Sequence, residues 1–429
     1  MQQAIAVLDI GKSRSKLSLW SEEGTLIHAA DRPNRSVARD GLAQLDVGGI
    51  RDWLVTALTT AAALAQIKAI IPVAHGAAAV LLDGKAPVCA LDYEASVPAD
   101  VNAAYDAERD PFHATLSPRL PTGLNLGVQL FWMERLFPDL WPVSGRMLLW
   151  PQYWAHVLSG EVASEVTSLG CHSDLWRPYE RRHSDLALRR GWVAPLGPLR
   201  EAGAPLGRLT EALADSIGLA HDCLVYCGLH DSNAALHDAK GFAELTDRPF
   251  SVVSTGTWFV CLGAGGPGPR IYDPTMDMLA NVDVDGRPTP TARFMGGRDY
   301  EAWMGADIGA PSRIDLLAEA LDLAEWRGCE PSLRATRAAL ELARRADRAL
   351  SLIAAEGPIL LEGPFARDSV FGACLATFRP GQTVYRSDMV DACRTPGWGT
   401  PGRRYRCRSA DRVRAGTADH PRGQVEGRP

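Results

Sequence analysis

Polar and apolar residues alternate over the first 30 residues in a way that favours short strands. The segments AIAVLDI, SKLSLW and TLIHAA are separated by the polar turns GKSR and SEEG, which predicts a β-meander. An Ala- and Leu-rich stretch from Ile50 to Gln66 predicts a helix with Trp53 on its apolar side. KAIIPVAHG and AAAVLLDG predict two more strands, and Pro72 indicates that the first lies at a sheet edge or ends early.

The middle of the chain has a largely helical pattern. Apolar residues from Leu124 to Leu158 predict helix, with breaks at Pro138, Pro142 and Pro151. The stretch 176–209 is rich in Pro, Gly and Arg, which predicts loops.

Strands and helices follow one another in the second half. CLVYCG predicts a strand, and DSNAALHDA predicts a helix directly after it, with Asp231 or Ser232 as the N-cap. SVVSTGTWFVCLG predicts two strands joined by a tight Ser-Thr-Gly-Thr turn, and PILLEG predicts a short buried strand. Residues 314–355 predict a helical block between them. The whole pattern is typical of an α/β protein.

Length and composition exclude several classes of protein. The chain has 429 residues, 46% hydrophobic and 22% charged, which are globular values and suggest two or three domains. A net charge of −6 argues against general nucleic-acid binding. No apolar run is long enough for a membrane span, and the first residues, MQQAIAVLDIGK, lack the basic start of a secretory signal. Nine dispersed cysteines favour a reducing compartment, so we expect a cytoplasmic protein.

The last 39 residues, 391–429, have a different composition. They contain nine Arg, no Lys, no Leu and no Ile, with many Gly and Pro, so they offer little apolar surface to bury. We expect this tail to be disordered. One interpretation is a basic arm that binds nucleic acid or a partner; the other is an aberrant terminus, translated in a wrong reading frame.

A first glycine turn follows the first predicted strand. Gly11 allows backbone N–H groups to approach an anion closely, while Lys12, Ser13 and Lys16 offer cationic and hydroxyl contacts to phosphates. Asp9, at the strand end, has the oxygen ligands that Mg²⁺ prefers. The alternative is an ordinary hairpin turn with solvated charges.

Two further turns carry polar groups. Thr255, Gly256 and Thr257 lie between two strands, where they can clamp a terminal phosphate or simply form a hairpin. Two such hairpins suggest two similar halves closing on one nucleotide. Asp231 follows His230 between a strand and a helix, where it can accept a proton from an alcohol or merely cap the helix.

Taken together, these three turns resemble the motifs of the FGGY carbohydrate kinases, within the actin-like ATPase superfamily. Asp9-x-Gly11 with Lys16 resembles the first phosphate motif, and residues 254–258, STGTW, resemble the second. His230-Asp231 resembles the catalytic aspartate motif, in the form found in rhamnulokinase-like and fuculokinase-like members. The resemblance covers residues 4 to 388.

The resemblance implies a fold and a mechanism. It implies two ribonuclease-H-like domains with the active site in the cleft between them: a sugar-binding domain at 1–243 and a nucleotide-binding domain at 244–390. Asp231 would deprotonate a sugar hydroxyl, which then attacks the γ-phosphate of ATP, and Asp9 and Asp231 would flank Mg²⁺. The implied phosphate contacts are Gly11, Lys12, Ser13 and Lys16 from the first domain, and Thr255, Gly256 and Thr257 from the second.

The resemblance also implies sugar contacts. His75 and Gly76 stand where the family often has a Met-His-Gly-like segment, and His230 would bond a sugar hydroxyl beside the base. The segment WPQYW, 150–154, resembles the family's segment that opens a helix in the sugar-binding domain. Trp154 could stack on a sugar face, with core packing as the alternative.

The sequence departs from the family pattern in two places. Lys12 stands where many members have Thr, which adds a positive charge near the phosphates. Residues 362–366, EGPFA, stand near the expected adenosine motif without its Gly-Gly pair, and the resemblance stops after 388. We therefore expect a truncated nucleotide-binding domain. If the tail replaces real structure, one wall of the adenine pocket is missing and ATP affinity should be weakened.

The sequence predicts an ATP-dependent sugar kinase that acts on a small ketose or polyol. One alternative is a sugar-binding protein on a kinase scaffold with impaired nucleotide binding. Another is an actin-like ATPase, against which the His-Asp and Met-His-Gly-like segments count. The expected partner is a small sugar, with neither nucleic acid nor membrane, and a homodimer stays open because many family members are dimers.

Overall fold

The computed structural model describes residues 1–140, 145–325, 328–387 and 411–413. Within this part the chain forms two compact units. The first contains Met1–Thr246 and Pro269–Thr291, and the second contains Asp247–Gly268, residues from Ala292 onward and the segment 411–413. Residues 269–291 thus cluster with the first unit, although they lie in the range 244–390 that the sequence analysis assigned to the second domain.

The strands, in chain order, are β1 (Gln3–Ile10), β2 (Arg14–Ser21), β3 (Leu26–Pro33), β4 (Ser36–Arg39), β5 (Leu42–Leu45), β6 (Gln66–Ala74), β7 (Ala79–Asp83), β8 (Ala86–Cys89), β9 (Gly145–Leu149), β10 (Ser164–Glu165), β11 (Trp176–Arg177), β12 (Arg182–His183), β13 (Leu199–Arg200), β14 (Pro205–Arg208), β15 (Leu224–Tyr226), β16 (Leu229–His230), β17 (Phe250–Thr255), β18 (Phe259–Ala264), β19 (Met278–Val282), β20 (Pro288–Phe294), β21 (Ile359–Glu362), β22 (Val384–Arg386) and β23 (Asp411–Arg412).

The helices are α1 (Val47–Ala62), α2 (Ala99–Glu108), α3 (Phe112–Thr115), α4 (Leu126–Leu136), α5 (Trp150–Ser159), α6 (Val166–Leu169), α7 (Asp185–Arg189), α8 (Val193–Leu196), α9 (Glu211–Ile217), α10 (Asp231–Ala239), α11 (Gly296–Met304), α12 (Leu317–Asp322), α13 (Pro331–Leu352) and α14 (Ser369–Phe378). Short 3₁₀ turns cover Pro274–Met276, Gly305–Asp307, Ile314–Leu316 and Pro364–Arg367.

The first unit is built on a mixed sheet with the order β14-β15-β6-β1-β2-β3, in which β16 also pairs with β6. The meander predicted for the first 30 residues is confirmed as β1, β2 and β3, paired antiparallel. β6 runs parallel to β1 and to β15. Alternate side chains of these strands are buried against a core that includes α1 and α5.

Pro72 does not mark an edge, and that prediction is wrong. β6 lies in the middle of the sheet and continues past Pro72 to Ala74. The ladder on one side is interrupted instead, since β15 pairs up to Ile70 and β16 resumes pairing at Val73. Proline has no N–H to donate, and the neighbouring chain skips that position at Gly228, whose φ is +78°. A central strand can thus hold a proline where its neighbour is split.

Two predicted helices differ in extent from the structure. The helix expected at 50–66 begins earlier, at Val47, because Asp46 accepts a hydrogen bond of 2.9 Å from the N–H of Gly49 and caps it. The helical pattern of 124–158 contains the strand β9, which pairs with β7. Pro151 stands in the first turn of α5, where its missing N–H costs nothing, so it starts a helix.

The second unit repeats the same local arrangement. β17 and β18 form the predicted hairpin, with Thr255 opposite Phe259, and β17 pairs in parallel with β21, which pairs in parallel with β22. α13 packs beside α14 and β18. The helical block predicted for 314–355 is divided into α12 and α13.

The predicted disordered tail lies almost wholly outside the described residues. Of its 39 positions only Asp411–Val413 are described, and Asp411–Arg412 pair antiparallel with β22, which the composition did not predict. Among the helices of the described chain, none has both the length and the apolar character needed to cross a membrane.

Candidate active site

Three parallel strands of the first unit end at the same edge of their sheet. Asp9 near the end of β1 is level with Val73 in β6, and Ala74 at the end of β6 is level with His230 in β16. The N–H of His75 donates to the carbonyl of Ile10 at 3.2 Å, which ties the first two ends together. Carboxyl ends of parallel strands are the usual ligand-binding edge of an α/β sheet. This edge therefore brings the predicted aspartates and histidines into one neighbourhood.

Asp231 is the first residue of α10, and its N-cap is His230, so the predicted cap at Asp231 or Ser232 is wrong by one or two residues. The side chain is only half-buried. Its Oδ1 accepts hydrogen bonds from the N–H of Ser232 at 2.6 Å and from the hydroxyl of Ser232 at 3.3 Å. The helix N-terminus favours a negative charge at this position.

His230 is buried beside this carboxylate. Its Nε2 lies 3.1 Å from Oδ1 of Asp231 and 3.3 Å from Sγ of Cys171, and its Nδ1 lies 3.2 Å from Nδ2 of Asn233. The backbone N–H of His230 donates to the hydroxyl of Thr167 at 3.0 Å. Burial lowers the pKa of His230 and outweighs the opposing charge of Asp231.

His75 is the second buried histidine of this neighbourhood. Its Nδ1 lies 2.8 Å from the carbonyl of Gly76, and its ring meets that of Tyr93 edge to face at 5.4 Å. Burial lowers its pKa, with smaller effects from the charges of Asp231, Lys12 and His230. His75 therefore lies within electrostatic reach of the candidate base.

Gly76 is required by close packing. A Cβ added there would lie 2.6 Å from Sγ of Cys171 and 2.9 Å from Nε2 of His230, closer than real Cβ atoms approach. The segment that resembles Met-His-Gly thus presses directly on the His230–Asp231 pair.

The first glycine turn is braced by Asn34. The N–H of Gly11 donates to the carbonyl of Arg14 at 3.0 Å, and the side chain of Asn34 donates to the carbonyl of Gly11 at 2.7 Å. The N–H of Asn34 donates to the carbonyl of Ser13 at 2.8 Å. Lys16 stands directly opposite Asp9 in the β1–β2 register. The turn is thereby held in one conformation, with Ser13 exposed.

Lys12 is engaged by carboxylates in the structure. Its ammonium makes a short ion pair with Asp92, lies 3.5 Å from Glu94 and sits 5.1 Å above the ring of Tyr93. Burial opposes the charge of Asp92, but hydrogen bonds from Lys12 and Ser36 outweigh it and lower its pKa. These partners favour a link between the first turn and the 92–94 loop over the predicted phosphate contact of Lys12.

Trp154 is fully buried among aromatic rings. It meets Trp150 at 5.2 Å and Tyr153 at 5.1 Å, both edge to face, inside the core of the first unit. No ring face is left exposed, so the structure favours core packing over the sugar contact that the sequence predicted. Trp150, also buried, is nearer the site, with its ring 5.9 Å from that of His75.

A buried carboxylate behind the site was missed by the sequence analysis. Glu165 accepts hydrogen bonds from the N–H of Thr167 at 2.9 Å, from its hydroxyl at 2.6 Å and from the N–H of Ser168 at 3.2 Å. Burial raises the pKa of Glu165 to about 7 in spite of these bonds. Since the hydroxyl of Thr167 also holds the backbone of His230, Glu165 supports the candidate base from behind.

Asn233, Cys171 and Asp92 were missed for different reasons. Asn233 stands three residues after His230 on a predicted helix, a spacing that places two side chains together and offered a usable signal. Cys171 and Asp92 reach the site over long sequence separations, for which no local pattern exists.

In the second unit, Thr255 holds the predicted phosphate turn to a neighbouring loop. Its hydroxyl donates to the carbonyl of Glu362 at 2.6 Å and accepts from the N–H of Phe365 at 3.1 Å. The exposed residues Gly256 and Thr257 form the tip of the hairpin. The N–H of Gly297, at the start of α11, donates to the carbonyl of Thr257 at 3.2 Å. The turn is therefore rigid, with its tip open to a ligand.

The donor set fits a magnesium nucleotide. Asp231 keeps Oδ2, which receives no hydrogen bond within the described part of the chain. No group of three or more His, Cys, Asp or Glu side chains able to hold a metal occurs among the described residues. Mg²⁺ is commonly bound through one or two carboxylates together with substrate phosphates, and Asp9 and Asp231 can supply those.

Comparison with known proteins gives a consistent picture. The family described as "Carbohydrate kinase FGGY, C-terminal domain" matches residues 247–324 and 319–396. A carbohydrate kinase from Novosphingobium aromaticivorans is 37% identical, with a TM-score of 0.88, over 97% of this chain and 95% of that one. No curated protein sequence matches the chain.

More distant solved structures share the fold. A xylulose kinase from Rhodospirillum rubrum is 16% identical with a TM-score of 0.70, over 91% of this chain and 88% of that one. A glycerol kinase from Plasmodium falciparum, solved with ADP, is 11% identical with a TM-score of 0.73, over 92% and 88%. At these identities the likeness supports the mixed α/β fold alone.

Proposed function

We propose that this chain, which belongs to the FGGY family of carbohydrate kinases, transfers the γ-phosphate of ATP to a hydroxyl of a small ketose or polyol. Members of this family are phosphotransferases that act on sugar hydroxyls, and the chain is such an enzyme. The observation that carries the finer proposal is Asp231: a half-buried carboxylate at the start of α10, fixed through one oxygen and surrounded by two buried histidines.

Asp231 would be the general base. Its Oδ1 is held by Ser232 and His230, which fixes the plane of the carboxylate and leaves Oδ2 to accept the proton of a sugar hydroxyl. His75 would bond a second sugar hydroxyl, since its ring lies within electrostatic reach of Asp231 and its Nδ1 is already satisfied by Gly76. Gly76 would position His230 through packing and His75 through its carbonyl.

Each unit, taken by itself, offers candidate phosphate contacts. In the first unit we assign them to Gly11, Ser13 and Lys16; Lys12, paired with Asp92, would instead fix the turn to the 92–94 loop. In the second unit Gly256 and Thr257 offer an open hairpin tip, held in place by the hydroxyl of Thr255.

Mg²⁺ would be flanked by Asp9 and Asp231, with Asp231 reaching it through a bound water, so that Oδ2 stays available for the sugar proton. When bound, it would supply neutralisation of the phosphate charge, on which phosphoryl transfer largely depends. The protein's own contribution is to place Asp9 opposite Val73 of β6, and Asp231 directly after His230, which lies opposite Ala74 of the same strand.

Two finer assignments follow the same reasoning. His230 directly before Asp231 supports the rhamnulokinase- and fuculokinase-like branch. Each unit has an antiparallel hairpin whose first strand also pairs with a parallel strand. These are β1–β2 with β6 in the first unit and β17–β18 with β21 in the second. The arrangement supports a ribonuclease-H-like domain in each unit.

The test is a substrate screen with product analysis. Purified protein is incubated with Mg-ATP and a panel of ketoses and polyols, while ADP is followed by a coupled assay and the sugar phosphate by mass spectrometry. We expect ADP and sugar phosphate in equal amounts for at least one sugar.

Two outcomes would contradict the proposal. Calorimetric sugar binding without ADP formation would indicate the sugar-binding alternative, in which nucleotide binding is impaired. ADP release at the same rate with and without every sugar would indicate an ATPase of the actin-like class.

A further inference from the structure

We propose that Asn233 fixes the tautomer of His230, so that His230 presents an Nε2–H donor to Oδ1 of Asp231. Asn233 is then a positioning residue, one that acts on the reaction only through His230 and Asp231. The inference rests on the proposed function, in which Asp231 is the base.

The contact at Nδ1 sets the tautomer. Nδ2 of Asn233 lies 3.2 Å from Nδ1 of His230, and an amide NH₂ group can only donate a hydrogen bond. Nδ1 must therefore be the bare nitrogen that accepts. With Nδ1 bare, the ring has one proton, and that proton is on Nε2.

The proton on Nε2 then has a defined destination. Nε2 lies 3.1 Å from Oδ1 of Asp231 and 3.3 Å from Sγ of Cys171. The carboxylate oxygen is the stronger acceptor, and a charge-assisted hydrogen bond is the stronger kind of bond. The opposite tautomer would place the lone pair of Nε2 against Oδ1, which is repulsive. The two tautomers thus differ in whether the carboxylate is fixed or pushed away.

The imidazole ring of His230 is held in one orientation by its surroundings. Asn233 and His230 are both buried, and the backbone N–H of His230 is bonded to Thr167 at 3.0 Å. Gly76 packs so closely on Nε2 that a Cβ there would lie 2.9 Å away. Asn233 lies one helical turn after His230 on α10, which aligns the two side chains.

This geometry changes the role expected of His230. The sequence predicted a contact from His230 to a sugar hydroxyl, whereas its donor is directed at Oδ1 of Asp231. With Oδ1 occupied, Oδ2 becomes the oxygen that receives the sugar proton. Asn233 and His230 therefore act together with Ser232 to select which oxygen of the base reacts.

The first test reads the tautomer directly in the wild-type protein. Protein labelled with ¹⁵N-histidine is examined by NMR of the ring nitrogens, with the His230 signal identified by its loss in His230→Gln. We expect a protonated Nε2 and a bare Nδ1. A proton on Nδ1 would overturn the proposal, and this readout needs neither activity nor an Asn233 variant.

The second test perturbs the tautomer. Asn233→Asp keeps the shape but places an acceptor opposite Nδ1, so Nδ1 takes a proton, either from Nε2 or from solvent, and NMR of the variant shows which. We expect kcat to fall by about 10- to 100-fold, the scale of a misdirected general base, while KM for the sugar changes less than about threefold. Asn102→Asp, the same change on α2 of the first unit, should leave kcat unaltered.

The outcomes separate this inference from the proposed function. An inverted tautomer with unchanged kcat in Asn233→Asp would overturn the positioning role. Full activity of Asp231→Asn would overturn the proposed base while leaving the wild-type tautomer as measured. An Nε2-protonated ring together with a selective loss of kcat in Asn233→Asp would support both.

Discussion

Glu165 should make folding stability depend on pH in a way that one substitution removes. Its carboxyl group is fully buried and, among the described residues, is bonded to Thr167 and Ser168, while burial raises its pKa from 4.5 to about 7. The folded protein therefore holds this proton more tightly than the unfolded chain. The stability it contributes is fully present below pH 4.5 and is lost as the pH rises through 7.

The magnitude follows from the two pKa values. Ionisation lowers the free energy of unfolding by RT ln[(1+10^(pH−4.5))/(1+10^(pH−7))], which gives about 0.8 kcal/mol at pH 5 and about 3.3 kcal/mol at pH 8. The difference between these two conditions is about 2.5 kcal/mol. Glu165→Gln cannot ionise, so it should lose this dependence. It also keeps only one of the two oxygens that accept from Thr167 and Ser168, a constant cost of about 1–2 kcal/mol.

The assay is denaturant unfolding of wild type and Glu165→Gln at pH 5 and pH 8. At pH 5 the variant should have the lower free energy of unfolding. Between pH 5 and pH 8 its free energy of unfolding should rise by about 2.5 kcal/mol relative to that of the wild type. Histidines with lowered pKa values contribute equally to both proteins and cancel in the difference. Glu161→Gln, at an exposed position four residues earlier, is the matched control and should show no pH-dependent difference. A difference between wild type and Glu165→Gln that is constant with pH would refute the reasoning.

Two further predictions concern packing and the second unit. Gly76→Ala should lower the free energy of unfolding by about 1–3 kcal/mol and reduce kcat, because the added Cβ meets Cys171 and His230. Adding Cys171→Ala should restore the free energy of unfolding more than kcat. Equal recovery of both would contradict the role of His230. Thr255→Val should lower the free energy of unfolding by about 1–3 kcal/mol and raise KM for ATP more than KM for the sugar, because it leaves the N–H of Phe365 without its partner. An unchanged free energy of unfolding would contradict this prediction.

Local patterns predicted the framework of the fold well. The strands β1 to β3 and the β17–β18 hairpin were confirmed because their period-two alternation and turn residues lie within a few positions of each other. The strand β9 was missed because a short apolar run such as GRMLL, followed by Trp150 and Pro151, fits a buried helix as well as a strand.

Long-range contacts limited the prediction of the site. The partner of Lys12 is Asp92, 80 residues away, so a lysine beside a glycine turn was assigned to phosphates when its nearest charge is a carboxylate. Pro72 was predicted to lie at an edge because a proline usually interrupts a central strand. The gap between β15 and β16 that accommodates it lies far along the chain, where no local pattern could reveal it. The sequence around Trp154 does not indicate whether its ring is exposed to a ligand or buried in the core, where the structure places it.

The central claim is that Asp231 is the base of a sugar kinase, and one measurement tests it most directly. With the best sugar from the screen, kcat and the sugar Kd are measured for wild type, Asp231→Asn and Asp238→Asn, the same change later on α10. Asp231→Asn keeps an oxygen to accept from His230, so the account predicts a sugar Kd within about threefold and a fall in kcat of about 100-fold or more, with Asp238→Asn unaffected. Turnover by Asp231→Asn close to that of the wild type would contradict the account.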